Sequence, residues 1–331
     1  MYKNYIFYYV WRLIQDAGVW TVGWFGRTQR KTTGKIIAFL ALPFALIRIL
    51  AGKLAGRLEI PYIDLVITTK CSLHCTECSN LMQYYGKPRK PSYHTPIESL
   101  ITDMTTLLKI VDHVQTMTII GGEPFLHPHL NRLLSFLCEE KKIRRIQIIS
   151  NGTVVPDKNV INSCLKSKKV TVLISDYESA GVDQKNVISV LKKNHIVHKM
   201  FHPVYWRKYG VLSSRKRSAD ELNSVFRRCR IPNCRSLLNG SFYLCPRSSA
   251  GTDLGVIPYA EDDFVSLREA GISDIRKNLK RLLRKRDFIQ ACDYCDNSYV
   301  YPLQKVMPGE QLCTVRRDTF TLRGIRAQTS G

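Results

Sequence analysis

Acidic residues and long apolar runs are scarce in this 331-residue chain. Asp and Glu total 27 against 50 Lys and Arg, which leaves a formal net charge of +23. The apolar run 36–47 has 12 residues and contains Pro43, so it is shorter than the roughly 20 residues that span a bilayer. No short repeat is present, and 19 Gly and 14 Pro are ordinary, which excludes collagen-like and low-complexity classes.

The positive charge is unevenly distributed. Residues 1–60 carry 9 basic and 2 acidic side chains, whereas residues 61–140 carry 6 and 8. A large excess of positive charge predicts an anionic partner, which would be nucleic acid, a phosphorylated substrate or an acidic membrane surface. Because the near-neutral stretch holds the candidate chemistry described below, the excess fits a membrane-facing leader and an anionic substrate better than nucleic acid.

Residues 1–58 form a distinct apolar and aromatic leader, predicted to be helical. They lack the small-residue cleavage site of a signal peptide, and we therefore expect a cytoplasmic protein. Basic residues flank the apolar run, as in helices that lie in a membrane interface. Such a leader predicts peripheral contact with the inner face of the membrane, and a helical cap over the end of a barrel is the alternative.

Apolar strand-like segments alternate with helical segments from residue 60 onward. Strands are predicted at 63–69, 116–120, 145–150, 170–175 and 197–204, and helices at 97–113, 130–142, 157–167 and 186–194. This alternation predicts an α/β fold, a partial (β/α)6 TIM-like barrel over residues 59–206. A linker is predicted over 207–228, a small cysteine-rich domain over 229–303 and a tail over 304–331.

Three cysteines follow the first predicted strand in the pattern C-x3-C-x2-C, at Cys71, Cys75 and Cys78. Three thiolates on one loop can hold three irons of a [4Fe–4S] cube and leave the fourth iron open to a small molecule. A zinc site is the alternative, but it takes four ligands, and His74 would have to supply the fourth. The triplet alone leaves both interpretations open.

Two further motifs follow strand ends. Gly-Gly-Glu-Pro at residues 121–124 comes after the second predicted strand, and Ser-Asn-Gly-Thr at 150–153 comes after the third. All three elements are therefore expected on the C-terminal face of the barrel, where βα barrels place their active sites. Together they make residues 60–205 resemble the radical S-adenosylmethionine (radical SAM) superfamily.

The resemblance implies a set of site residues. Cys71, Cys75 and Cys78 would hold a [4Fe–4S] cluster, and the amino and carboxylate groups of SAM would chelate its open iron. The SAM-binding residues that the resemblance implies are Gly121, Gly122, Glu123, Pro124, Ser150, Asn151, Ser175 and Asp176. Glu123 would recognise the SAM amino group. The family often has an aromatic residue near the adenine just before the third cysteine; Glu77 stands here instead, so that contact is not carried over.

A second group of cysteines comprises Cys229, Cys234, Cys245, Cys292 and Cys295. A tight turn is predicted at Asn239-Gly240. The pattern of one cysteine, G-x4-C and a distant C-x2-C resembles the twitch domain, the shortened form of the SPASM domain. That resemblance implies one auxiliary [4Fe–4S] cluster on Cys229, Cys245, Cys292 and Cys295, with Cys234 as the alternative to Cys229. A zinc ribbon is the other interpretation.

Single residues outside these motifs complete the candidates. Cys313 is a candidate cluster ligand or hydrogen donor to a substrate radical, and Tyr177, like Tyr205, follows a strand end where substrate would bind. Cys138 and Cys164 are expected in the core. The histidines at 195, 198 and 202 are expected near the fifth strand, and the basic segment 276–286 is expected to be a solvated amphipathic helix.

The expected function is that of a radical SAM enzyme. It would reductively cleave SAM to a 5′-deoxyadenosyl radical and abstract a substrate hydrogen atom, using a reductant such as flavodoxin or ferredoxin. The substrate expected first is a small anionic or sugar-like molecule that is oxidised or epimerised. The alternatives are a precursor peptide that such an enzyme matures and a nucleic acid that it modifies.

Overall fold

The computed structural model describes residues 55–165, 167–229, 231, 234–285, 287–296 and 304–312. The expectations for the leader up to residue 54 and for Cys313 lie outside the described residues. Within the described part, no helix is long and apolar enough to cross a membrane.

Short strands and helices alternate along the described chain. The strands are β1 (Glu59–Ile60), β2 (Ile63–Thr68), β3 (His113–Val114), β4 (Met117–Gly121), β5 (Ile146–Ser150), β6 (Val170–Ser175), β7 (His198–Phe201), β8 (Trp206–Arg207), β9 (Ser236–Leu238), β10 (Ser241–Tyr243), β11 (Phe264–Ser266) and β12 (Lys305–Val306). The α-helices are α1 (Ile97–Ile110), α2 (Leu130–Glu139), α3 (Lys158–Leu165), α4 (Lys185–Lys193), α5 (Ala219–Arg227), α6 (Pro246–Asp253) and α7 (Ile272–Leu283).

An eight-stranded sheet lies at the centre of the described residues, in the order β11-β10-β9-β2-β4-β5-β6-β7. The six strands from β9 to β7 pair in parallel, and β10 and β11 extend the sheet antiparallel. Since β7 and β11 do not pair with each other, the sheet is open. The α/β partial barrel predicted from the sequence is confirmed.

The strand–helix alternation predicted up to residue 204 is present, and its ends differ by a few residues. β6 occupies the predicted residues 170–175, whereas the helix predicted over 97–113 ends at Ile110. It ends early because the chain extends into β3, which pairs in parallel with β1. The fifth predicted strand is reduced to His198–Phe201.

The core lies between the sheet and its helices. In β2, Ile63, Leu65 and Ile67 are at most 1% exposed and belong to one apolar cluster that includes helical leucines of α1 and α2. Burying each such side chain contributes about 1.5–3 kcal/mol. The alternate residue Asp64 is also buried, at 4% exposed, so β2 is covered on both faces, as strands of parallel sheets usually are.

The region after β7 contains elements that the sequence analysis did not predict. The predicted linker contains α5, which begins with a capping box between Ser218 and Glu221. The turn predicted at Asn239-Gly240 joins β9 to β10, and β9 pairs in parallel with β2. The sixth parallel strand, β9, therefore comes from the segment predicted as the cysteine-rich domain. β9 and the strand that precedes the cysteine triplet, β2, lie in the same sheet.

An ion pair ties the later strands to the first helix. The Asp103 carboxylate on α1 accepts hydrogen bonds from Arg268 Nε and Nη2 at 2.8 and 2.7 Å. The Asp103 side chain is only 3% exposed. Buried carboxylates are costly unless paired, so this contact helps to fix the β11 end of the sheet against α1.

Candidate active site

Three strand-end segments meet at the C-terminal edge of the sheet. β4 lies between β2 and β5, so the cysteine loop, the Gly-Gly turn and the Ser-Asn-Gly turn follow neighbouring parallel strands. The backbone N–H of Gly122 donates to Thr68 O, and that of Glu123 donates to Lys70 O, both at 2.8 Å. The Gly-Gly turn is thereby held against the residues immediately before Cys71.

The two glycines are required by this close backbone approach. A Cβ on Gly122 would lie 2.0 Å from Lys70 O, and one on Gly121 would lie 2.1 Å from Thr68 O. Gly121 also has φ +139°, a conformation that L side chains rarely adopt. Any larger residue would push the cysteine loop away from β4.

Glu123 is fully buried, with 0% of its surface exposed. Its Oε1 accepts from Phe125 N at 3.1 Å and its Oε2 from Asn151 N at 2.8 Å. Burial raises the pKa of the carboxyl to about 7. The resemblance implies that Glu123 recognises the amino group of SAM, and in the structure its two carboxylate oxygens connect the Gly-Gly turn to the Ser-Asn-Gly turn.

Asn151 connects its own Ser-Asn-Gly turn to the cysteine loop. Its Nδ2 lies 3.0 Å from Ser72 Oγ and 3.6 Å from Cys71 Sγ. Its Oδ1 accepts from Thr153 N at 3.0 Å, which fixes the amide orientation. Ser150 Oγ accepts from Gly152 N at 2.9 Å, so both predicted residues have contacts within the loops themselves.

Gln184, just before α4, is a site residue that the sequence analysis missed. It is 5% exposed, and its Nε2 donates to Asn151 O at 2.5 Å and Ser175 O at 2.6 Å. It therefore joins the ends of β5 and β6. Gln184 belongs to no recognisable sequence motif. Its role follows from the position of the start of α4, which places the side chain beside the ends of β5 and β6.

Cys78 lies close enough to Cys71 and Cys75 to raise the pKa values of both thiols. Burial, which is the larger cause, raises the pKa of Cys71 to about 12 and that of Cys75 to about 11. Cys78 has a raised pKa from burial and accepts backbone hydrogen bonds from the residues that follow it. His74, the candidate fourth zinc ligand, is exposed.

The cysteine loop supplies three thiols, Cys71, Cys75 and Cys78. Three cysteines are the donor set that a [4Fe–4S] cube with one open iron takes, because each cysteine binds a different iron. Among the described residues, no group of three His, Cys, Asp or Glu side chains is placed to hold a single metal ion.

Tyr177 lies beside the triplet. It is 9% exposed, its ring packs edge-on against Trp206 at 5.5 Å, and the three cysteines contribute, after burial, to its raised pKa. Asp176 points elsewhere: its Oδ2 lies 2.6 Å from His202 Nδ1, and its Oδ1 accepts from Glu178 N. The backbone N–H of Glu178 and then His202 lower its pKa.

Glu77 faces the second cysteine region. Its Oε2 accepts from Tyr209 N at 2.9 Å, and burial raises its pKa. The position that the family often fills with an aromatic residue therefore forms a contact between the cysteine loop and the chain after β8.

Four of the five later cysteines surround one cavity of about 70 Å³. They are Cys229, Cys245, Cys292 and Cys295, and Cys234 is not among the described residues that line it. Burial, as the first cause, raises the pKa of Cys292 to about 12 and that of Cys245 well above its usual value, and their cysteine neighbours raise both further. After burial, Cys234 contributes to the raised pKa values of Tyr62 and Tyr209, and Cys295 and Cys229 also contribute to that of Tyr209.

The loop between Cys292 and Cys295 is held by an arginine that the sequence analysis missed. Arg217 Nη1 donates to Cys292 O at 2.9 Å and to Cys295 O at 3.0 Å, while its Nη2 pairs with Asp296 at 2.7 Å. The cavity walls are largely apolar, with Leu244 and Ile289 among them.

The other residues singled out from the sequence contact the protein core, the backbone or oppositely charged side chains. Cys138 packs partly buried against the core, and His198 Nδ1 lies 2.8 Å from Ile196 O. α7 is amphipathic, and Arg276 and Arg281 pair with Asp112 and Asp262. Cys164 lies in α3, and its side chain is outside the described set.

Residues 65–175, from β2 to the end of β6, match the family model described as the radical SAM superfamily. These residues form a radical SAM domain. The recognition based on the triplet and the two turns is thereby confirmed, whereas the matched range does not extend to the later cysteines.

Two curated relatives match part of this chain. Over 108 residues the chain is 27% identical to the antilisterial bacteriocin subtilosin biosynthesis protein AlbA of Bacillus subtilis, covering 33% of this chain and 22% of that protein. Over 137 residues it is 25% identical to GTP 3′,8-cyclase of Campylobacter jejuni, covering 39% of this chain and 40% of the cyclase. The match thus spans less than half of either relative.

Among solved structures, BtrN in complex with AdoMet and 2-DOIA matches with a TM-score of 0.46 and 16% identity. That match covers 76% of this chain and 98% of the other.

Proposed function

We propose that this chain is a radical SAM enzyme that holds a [4Fe–4S] cluster on Cys71, Cys75 and Cys78 and removes a hydrogen atom from a substrate C–H group. The observation that carries the proposal is the meeting of the cysteine loop with the Gly-Gly and Ser-Asn-Gly turns at one edge of the sheet. When bound, the cluster and SAM supply the radical chemistry that the side chains of a protein lack.

The surrounding residues hold the loop in place for that cluster. Gly121 and Gly122 allow the loop to lie directly on β4, and Asn151 fixes its start through Ser72. Glu123 acts as a positioning residue, because its two carboxylate oxygens connect the turns on either side. SAM would bind over the backbone of these turns, with Tyr177 beside the substrate.

We propose an auxiliary [4Fe–4S] cluster on Cys229, Cys245, Cys292 and Cys295, in a twitch-like region. Their position around one cavity supports this set over one that includes Cys234. When bound, such a cluster supplies an electron acceptor, which favours oxidation of the substrate.

The proposed substrate is a small anionic or sugar-like molecule. Lys70, Arg207 and Lys305 lie in segments that contact the cysteine loop or Tyr177, and cations there would attract a phosphate or carboxylate. GTP 3′,8-cyclase, one of the matched relatives, acts on a nucleotide, as its name states.

A precursor peptide is the second candidate substrate. The observation in its favour is the match over 108 residues to AlbA, a bacteriocin biosynthesis protein. A peptide would have to enter the same edge of the sheet, beside Tyr177 and Trp206.

Anaerobically reconstituted protein tests the chemistry. With dithionite and SAM it should release 5′-deoxyadenosine, measured by liquid chromatography and mass spectrometry. The Cys138→Ala variant should behave as the wild type, because Cys138 packs against the core away from the loop. Clusters verified by iron and sulfide analysis without any 5′-deoxyadenosine would refute the proposal.

Deuterated candidates test the substrate class. A sugar phosphate or nucleotide that is the substrate should pass deuterium to 5′-deoxyadenosine, and a set of unrelated peptides should not. Transfer from peptides alone would replace the first candidate by the second.

A further inference from the structure

Residues 304–312, here called the strap, lie across the cysteine loop. At one end, β12 pairs antiparallel with β8, and Lys208 N donates to Gln304 O at 3.0 Å. At the other end, Thr76 N donates to Glu310 O and Leu312 N to His74 O, both at 2.8 Å. The strap therefore adds a strand-like segment directly to the loop between Cys71 and Cys78.

Gly309 lets the strap pass over Tyr177. Its φ is +74°, and a Cβ there would lie 2.6 Å from Cγ of the Tyr177 ring. This close packing brings the next residues, Glu310 and Gln311, onto the cysteine loop.

The Gln311 side chain has a single amide orientation that satisfies its neighbours. Its Oε1 accepts from His74 N at 2.7 Å, and a backbone N–H can only donate. Its Nε2 therefore faces the other way, where it donates to Gly309 O and to Cys75 Sγ, the latter at 3.4 Å. The residue is 236 positions away from Cys75 in sequence.

Donors to cysteine sulfur change the energy of an iron–sulfur cluster. A reduced cluster carries more negative charge than an oxidised one, so an N–H directed at a ligand sulfur stabilises the reduced state and raises the reduction potential. In this loop Asn151 is directed at Cys71 Sγ, and Gln311 is directed at Cys75 Sγ.

We infer that Gln311 is a positioning residue that raises the reduction potential of the cluster on the cysteine triplet through its hydrogen bond to Cys75. The inference rests on the proposed function, since it requires a cluster on Cys71, Cys75 and Cys78.

Two substitutions separate the hydrogen bond from the packing. Gln311→Met keeps the length of the side chain and removes the donor. Gln311→Glu keeps an oxygen for His74 N but places an anionic oxygen where Nε2 met Cys75. The midpoint potential is measured on the reconstituted full chain by reductive titration monitored by electron paramagnetic resonance, on the signal that changes when SAM is added. The potential should fall in Gln311→Met and fall further in Gln311→Glu.

Gln83→Met is the matched control. Gln83 Nε2 donates to Thr76 O at 3.1 Å, so it is an amide that contacts a carbonyl of the same loop rather than a sulfur. Its loss should leave the potential unchanged.

Unchanged potentials in both Gln311 variants, with wild-type iron content, overturn the inference and leave the proposed function intact. Loss of the cluster from both variants, but not from Gln83→Met, also overturns it, because Gln311 would then only anchor the loop. Wild-type protein that binds no cluster on the triplet refutes the proposed function itself.

Discussion

The two cysteine groups are built in different ways. Cys71, Cys75 and Cys78 lie within eight residues on one strand-end loop, whereas Cys229, Cys245, Cys292 and Cys295 come from segments up to 66 residues apart. Side-chain amides from Asn151 and Gln311 reach the sulfurs of the first group. The second group surrounds a cavity with largely apolar walls.

This difference indicates different tasks. A loop with three ligands at the open edge of a sheet leaves room for a fourth ligand from solution, as an enzyme site requires. Four cysteines around a largely apolar cavity could bind all four irons of a cube, which suits the proposed auxiliary cluster that only transfers electrons. The first group is therefore the candidate for chemistry and the second for support of that chemistry.

The sharpest test of this division removes each group separately. Replacing Cys71, Cys75 and Cys78 with Ala should reduce 5′-deoxyadenosine formation to background, because the loop then has no iron ligands. Replacing Cys292 and Cys295 with Ala should lower the iron content by about half and leave SAM cleavage largely intact. If the second variant also loses SAM cleavage while its first cluster is present, the two groups do not divide the work as described.

The membership of the second group is tested by single substitutions. Cys229→Ser should lose auxiliary-cluster iron, since Cys229 lines the cavity, and Cys234→Ser should retain it. Iron content and the Mössbauer spectrum of labelled protein measure both. Iron loss in the Cys234 variant, but not in the Cys229 variant, would reverse the assignment.

Because Gly122 lets β4 approach the residues before Cys71 closely, replacing this glycine should destabilise the protein. Gly122→Ala should lower the free energy of unfolding by about 2–3 kcal/mol, because the new Cβ would lie 2.0 Å from Lys70 O. Gly271→Ala is the control. Gly271 has φ −65°, a Cβ there would lie 3.8 Å from Asp274 Oδ2, and replacing Gly by Ala at this helix N-cap should cost about 0.5–1 kcal/mol. Urea denaturation of the two variants gives the comparison, and equal losses would contradict the packing described here.

The smallest expected loss of stability comes from the ion pair that joins the β11 end of the sheet to α1. Arg268→Ala should cost about 1–2 kcal/mol, because it leaves the buried Asp103 carboxylate unpaired. Arg132→Ala removes an exposed pair with Glu98 and should cost about 0.5 kcal/mol or less. A smaller loss for Arg268→Ala than for Arg132→Ala would show that the contact between β11 and α1 adds little.

The candidate site was predictable where a motif lies next to a strand end. The triplet, the Gly-Gly turn and the Ser-Asn-Gly turn are contiguous in sequence, and the alternation of strands and helices placed them on one edge of the sheet. Gln184, Arg217 and Gln311 carry no such signal, since each acts through contacts with a distant segment.

Two elements of the fold were not predicted from the sequence, for different reasons. α5 has a capping box at Ser218 and Glu221, so a closer reading of residues 218–221 would have predicted its start. β9 has three residues, too few for a periodic pattern, and only its pairing with β2 identifies it as the sixth parallel strand.

The sequence by itself determined the α/β alternation, the radical SAM domain and the cysteine triplet, because each is a pattern among residues close together in the chain. Tertiary structure alone decided that β9 completes the parallel strands, that Cys229 rather than Cys234 lines the cavity, and that Gln311 reaches Cys75. Those features depend on the packing of segments that are far apart in the chain, and such packing cannot be predicted from a local sequence pattern.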